Sequence, residues 1–155
     1  MATSDNLNRG RDAFLRHAWT DSCVLLEAAH RDEPLQSDDL ERLATAAYRI
    51  GKDAQSTEIW TRAHQEFLGL GAVARAARCA FWLAFGLMDL GEHARAAAWI
   101  TRARELLQQC GQDCVEQGYL LVPLALHAST AAMPRAHTTC SAGPRRSATV
   151  SAIAT

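Results

Sequence analysis

The stretch "LERLATAAYRIGKDAQSTEIWTRAHQEFLGLG", residues 40–71, decides the fold. Leu40, Leu43, Ala47 and Ile50 recur at helical spacing and line one face. Ser37 stands ahead of them as the expected N-cap, with Asp38 and Asp39 in the first turn facing the positive end of the helix dipole. Gly51 then stops the helix, because glycine adopts the left-handed backbone of a C-terminal cap without steric cost. Ile59, Trp60, Ala63, Phe67 and Leu70 mark a second helix, closed by Gly71. Helix, tight turn, helix is the local grammar.

The same grammar extends in both directions. Downstream, Ala80, Leu83, Ala84, Leu87 and Leu90 predict a helix ending near Gly91. Ala96, Trp99, Ile100, Ala103, Leu106 and Leu107 predict another, ending near Gly111. Upstream, Leu7–Ala18 and Asp21–Asp32 read as an earlier pair, and Cys114–Leu126 starts one more helix that Pro123 would kink. No period-2 segment of useful length interrupts them, so the expected fold is all-α.

The spacing also repeats. Gly51 precedes Ala63 by 12 residues and Phe67 by 16, and Gly91 precedes Ala103 and Leu107 by the same intervals. His17 and Ala29 lie 34 residues before Gly51 and Ala63, whereas Gly51 and Gly91 are 40 apart. A recurring small residue lets helices approach closely, and large residues fill the gap between pairs. This is the sequence mark of antiparallel helical pairs stacked as a solenoid, with a non-repetitive bundle as the alternative.

Composition is that of a globular chain, 48% hydrophobic and 21% charged, with a formal net charge of -1. That balance gives no reason to expect direct binding to DNA or to an anionic membrane. The longest apolar run, "YLLVPLAL", is far too short to span a bilayer, and "MATSDNLNRGRD" lacks the layout of a secretion signal. Five cysteines without a CxxC pair suit reduced thiols and a cytoplasmic location.

The chain changes character near position 127. The last acidic residue is Glu116, and Arg135, Arg145 and Arg146 have none to balance them. The expected division is a helical-repeat domain over 1–126 and a disordered or frameshifted tail over 127–155. Ser, Thr, Pro and Ala without core-forming residues cannot offset the entropy of ordering, which favours a linker. Back-translated with GC-rich codons, however, the tail admits an alternative frame containing a Gly-Asp turn and an amphipathic helix. The expectation is therefore a frameshift near residue 127.

The Gly–Ala–Phe spacing resembles tetratricopeptide repeats, in which Gly lies late in the first helix and Ala and Phe in the second. The pattern's first-helix Trp and Leu are replaced by Ala47 and Ile50, then by Leu87 and Leu90; its Tyr is replaced by Ala54 and Ala94. More specifically, "ARCAFWLAFGL" (residues 77–87) and "CVEQGYLLVP" (114–123) resemble the helical-repeat region of LuxR-type transcriptional regulators from high-GC bacteria. In that family such repeats precede a helix-turn-helix output domain. The resemblance implies a protein-interaction or regulatory module, a truncated regulator lacking its DNA-binding domain. A freestanding tetratricopeptide scaffold and a small-ligand sensor domain are the alternatives.

It also implies a partner-binding groove lined by first helices. That groove would present Thr45, Tyr48, Lys52 and Gln55 from one pair and Phe85, Met88, Glu92 and Arg95 from the next, for a protein or peptide partner. Packing against further repeats would explain the same positions. Self-association is expected through Tyr119, Leu120, Leu121, Val122 and Leu124, which a following repeat would otherwise cover.

Catalytic chemistry is not legible. Cys110 and Cys114 lack a suitably spaced His for a metal, and "GKD" at 51–53 lacks the flanking residues of a phosphate loop. His64 and Glu66 lack HExxH spacing and read as solvated or interface groups. The four tryptophans could form a ligand cage, but their helical spacing favours packing. No enzyme activity, cofactor or metal is expected.

Overall fold

The computed structural model describes residues 2–110 and Gly118. Six helices account for most of them: α1 (Ala2–Leu15), α2 (Trp19–Asp32), α3 (Ser37–Arg49), α4 (Asp53–Gly69), α5 (Val73–Asp89) and α6 (His93–Cys110). No strand occurs among the described residues. Each helix packs against its neighbours in sequence, giving stacked antiparallel pairs. Apart from Gly118, the helix expected from Cys114, its apolar edge for self-association and the tail lie outside the described residues.

One turn, used four times, reverses the chain. Gly51, Gly71 and Gly91 have φ of 77°, 70° and 77°, and His17 takes the same left-handed conformation at 60°. At each, the left-handed residue donates its N–H to the carbonyl three back, and the next residue donates to the carbonyl five back. The second bonds are Ala18 to Ala13, Lys52 to Ala47, Ala72 to Phe67 and Glu92 to Leu87, all 2.9 Å. This paired pattern satisfies the orphan carbonyls of one helix end. The residue that completes it also starts the next helix, so three residues suffice to reverse direction. His17 matches Gly51 across the 34-residue interval noted in the sequence.

The pairs are also tied across each turn. Ser22 Oγ donates to the Gly10 carbonyl at 3.0 Å, and Ser56 Oγ donates to the Ala44 carbonyl at 2.8 Å, each spanning 12 residues. Both serines are buried, so an unmade bond there would cost on the order of 1–3 kcal/mol. The equivalent positions of the third pair, Ala84 and Ala96, are buried alanines with no side-chain polar group. Close approach is most severe at Gly10, where a Cβ would sit 2.9 Å from the Leu26 side chain. Small residues thus set the distance between helices, while Leu26, Leu40, Leu43, Phe67, Leu83 and Leu87 fill the space between pairs.

Odd and even helices form two layers, each held together by charged contacts between its own helices. Asp39 is 1% exposed and accepts from Arg11 Nε at 2.8 Å, Arg11 NH2 at 2.6 Å and Arg42 NH1 at 2.8 Å. Burial pushes its carboxyl up, but the two guanidinium groups outweigh that and hold it below the usual range. In the other layer, Glu27 of α2 receives Lys52 Nζ and Gln55 Nε2, each at 2.8 Å.

Several boundaries differ from expectation for identifiable reasons. Gln36, not Ser37, is the cap of α3: its backbone is extended and its carbonyl accepts from Asp39 and Leu40, while Ser37 is the first helical residue. Helix α1 starts at Ala2 and stops at Leu15, because His17 turns left-handed. Leu70 and Leu90, expected in the core, are 72% and 43% exposed. Each is the last right-handed residue before a left-handed glycine, where the chain is already leaving the helix face.

The turn yields a paired test. Nothing lies within 4 Å of a Cβ built at Gly71 or Gly91, so alanine there meets only backbone strain. Gly71→Ala and Gly91→Ala are each expected to cost about 1–2 kcal/mol in urea denaturation. His17→Gly, at the equivalent position, is expected to be neutral or to stabilise by up to about 1 kcal/mol. A clear loss of stability in His17→Gly would show that its ring contact with Trp19, not the backbone, governs that turn.

Candidate functional site

Helices α3 and α5 run side by side in one layer and leave a cavity of about 370 Å³ between them. Helix α3 supplies Glu41, Thr45, Tyr48 and Arg49, positions that fall on one face by helical periodicity. Helix α5 supplies Trp82 and Phe85, and Trp60 of α4 completes the lining from the core. Trp60 is only 4% exposed, whereas Tyr48, Trp82 and Phe85 are half-buried.

The rings meet edge to face. Tyr48 and Phe85 have centroids 6.4 Å apart at 72°, and Trp82 and Phe85 are 6.0 Å apart at 76°. Phe81, itself buried, backs both Trp82 and Phe85. Such perpendicular rings are favourable by about 0.5–1.5 kcal/mol per pair and hold one another's orientation.

Polar contacts fix both ends of the cavity. At one end Glu41 accepts from Arg75 NH2 at 2.8 Å and pairs with Arg78 NH2 at 2.9 Å, and Arg75 also pairs with Asp38. Thr45 Oγ1 donates to the Glu41 carbonyl at 2.8 Å. At the other end the Tyr48 hydroxyl donates to Asp89 Oδ2 at 2.7 Å. Burial, then that bond and the charges of Asp89 and Asp53, push the Tyr48 phenol up to about 12. Tyr48 therefore stays protonated at neutral pH and acts as a donor.

The residues expected to share a groove divide among four places. Tyr48 and Phe85 meet at the cavity, with Thr45 beside them. Lys52 and Gln55 are held by Glu27 in the even-numbered layer. Met88 packs against the core, while Glu92 and Arg95 pair with each other at the start of α6. Lys52 and Glu92 each follow a left-handed glycine, which carries them away from the α3–α5 face. Glu41, Arg49, Trp60 and Trp82 complete the cavity without having been singled out as groove residues. The signal for them was periodicity: 41, 45, 48 and 49 on α3, and 82 and 85 on α5.

Other reactive groups are locked away. Cys23 and Cys79 are buried; desolvation first, then nearby carboxylates, push their thiols up to about 11 and about 12. Both are protonated, which removes the nucleophilic form. Among the described residues no group of three His, Cys, Asp or Glu side chains could hold a metal ion. Cys114 lies outside them.

His64 is 2% exposed, a core residue and not the solvated or interface group expected. Its Nδ1 lies 2.8 Å from the Ala76 carbonyl, and Arg102 Nε donates to its Nε2 at 3.3 Å. A proton therefore sits on Nδ1 and a lone pair on Nε2. Its ring stands edge-on to Trp99, with centroids 5.1 Å apart. One neutral imidazole thus ties α4 to both α5 and α6.

No family model matches the chain, and no curated protein matches it in sequence.

Burial lowers the His64 pKa, and the Arg102 charge acts in the same direction against the Ala76 bond. His30 is lowered likewise, by burial and by Arg62. The unfolded chain takes up protons near the ordinary value of about 6.5, whereas the folded protein does so only at lower pH. Stability should hold above that value and decline as pH falls below it. Urea titrations at pH 7.5 and pH 5 check this. His64→Gln should shrink the difference between the two pH values; an unchanged difference would remove His64 from the account.

Proposed function

We propose that the protein is a non-enzymatic, cytoplasmic protein-interaction module of a regulator resembling the LuxR type, docking its partner on the α3–α5 face. The observation that carries this reading is the cluster of half-buried Tyr48, Trp82 and Phe85 around an open cavity beside Arg49. Tyr, Trp and Arg in a partly formed pocket are the residues that dominate binding energy when a partner covers them. Stacked helical pairs, with the glycine-centred turns between them, support a tetratricopeptide-like scaffold for that surface. A peptide with an exposed aromatic or long aliphatic anchor fits such a pocket best.

Duplex DNA is not the direct partner of these helices in this reading. Arginines of the described layers are largely spent on carboxylates: Arg11 and Arg42 on Asp39, Arg75 and Arg78 on Glu41. Neutralised guanidinium groups release few counterions from phosphate. No helix among the described residues is long and apolar enough to cross a membrane.

A displayed random-peptide library selected against the full chain tests the proposal. Enriched peptides should share an aromatic or aliphatic anchor and lose about tenfold or more in affinity against Phe85→Ala. They should bind unchanged to Gln65→Ala, an exposed position of α4. Enrichment indifferent to Phe85, or salt-resistant sequence-specific binding of a DNA duplex by residues 1–155, would overturn it.

A further inference from the structure

We infer that the α3–α5 cavity is a binding site for a small aromatic carboxylate, its ring held by Tyr48, Trp82 and Phe85 and its anionic group by Arg49. The inference does not rest on the peptide-docking reading, since it needs no macromolecular partner.

Size and wall chemistry come first. A volume of about 370 Å³ lies within the range of small-molecule pockets, roughly 300–1,000 Å³. Such pockets combine apolar walls with a few placed polar groups. Here the Tyr48–Phe85 and Trp82–Phe85 rings stand at 72° and 76° to each other, so they form walls instead of stacking shut. Trp60, buried and lining the cavity from α4, gives it a rigid apolar wall on the core side. A flat ring can lie on one aromatic face while its edge meets another.

Charge selects the ligand's polar end. The lining contains one acid and one base, Glu41 and Arg49. Glu41 is neutralised by two arginines, Arg75 and Arg78. Arg49 is exposed, lies 5.7 Å over the Trp19 ring and pairs with no carboxylate among the described residues. Contact with an aromatic face orients a guanidinium but leaves its N–H groups able to take a carboxylate in a two-pronged bond. The unspent charge of the wall is therefore positive. An amine would find Glu41 already occupied by Arg75 and Arg78.

Carboxylates near Tyr48 oppose an anion: Asp53 more weakly, and chiefly Asp89. Asp89 receives the Tyr48 hydroxyl at the edge of the cavity and is itself exposed. Removing its charge should strengthen the binding of a carboxylate, a result that a purely apolar pocket would not give.

Isothermal titration of the full chain with three ligands of one shape provides the test: indole-3-propionate, indole-3-propionamide and 3-(3-aminopropyl)indole. The carboxylate should bind about fivefold or more tighter than the amide, and the amine should bind weakest. Arg49→Met, which keeps the aliphatic stem, should bring the carboxylate down to the level of the amide. Asp89→Asn should tighten the carboxylate alone, and Phe85→Ala should weaken all three. Far-UV circular dichroism and urea melts verify that each variant is folded; Arg49 and Asp89 are exposed, so those two variants remain informative if Phe85→Ala is not. The inference is overturned if the amine binds as well as the carboxylate, if Arg49→Met leaves the preference intact, or if none of the three binds at millimolar concentration. None of these outcomes requires a peptide to bind, so ligand failure and peptide failure are read separately.

Discussion

Four of the five connections between the described helices follow from a left-handed residue at a helix end. With one such residue, the N–H groups of two consecutive residues turn back to cap the helix just finished. The same residues launch the next helix, so the turn has no slack. A three-residue reversal forces the two helices into contact from their first turn onward. That contact is tolerable only where small residues face each other, which is why Gly10, Ala44, Ala84 and Ala96 sit where they do. Had the turns been longer, the helices could have separated and the sequence would not need so much alanine.

Close pairing within a turn leaves a different problem within each layer. Helices of the same layer are not joined by a short connection, and side chains set their separation. On the odd layer Asp39 clamps α1 to α3 through Arg11, and Glu41 clamps α3 to α5 through Arg75 and Arg78. A buried carboxylate is a poor source of net stability, since its desolvation offsets much of the attraction. Its value lies in register. Sliding α1 along α3 by one turn would take Arg11 away from Asp39 and leave that buried carboxylate with Arg42 of its own helix alone.

Helix existence and most turn positions were legible in the sequence because Gly51, Gly71 and Gly91 act locally. The equivalence of His17 with Gly51 was legible only as spacing; nothing about a histidine announces a positive φ. The cavity was half legible. Tyr48 and Phe85 were identified, but Lys52, Gln55, Glu92 and Arg95 were grouped with them by resemblance and not by the face on which each falls. Trp60 and Trp82 were read as packing, which describes Trp60 at 4% exposure but only part of Trp82. His64 was placed outside because a polar residue at helical spacing carries no mark of its partners. The Ala76 carbonyl and Arg102 that satisfy it come from two other helices.

The two problems, close pairs and spaced layers, together explain why a cavity exists at all. The Glu41 clamp at one end and the Tyr48–Asp89 bond at the other fix the distance between α3 and α5 independently of what lies between. Between the clamps the facing residues are aromatic, and the Tyr48, Trp82 and Phe85 rings meet edge to face around the opening. Sliding or rotating either helix to close the gap would break the contacts at its ends. Core leucines elsewhere show that the same sequence fills space when filling is required. The opening between Tyr48, Trp82 and Phe85 is thus held by polar contacts at its ends, and its shape is a property of the folded scaffold before anything enters it.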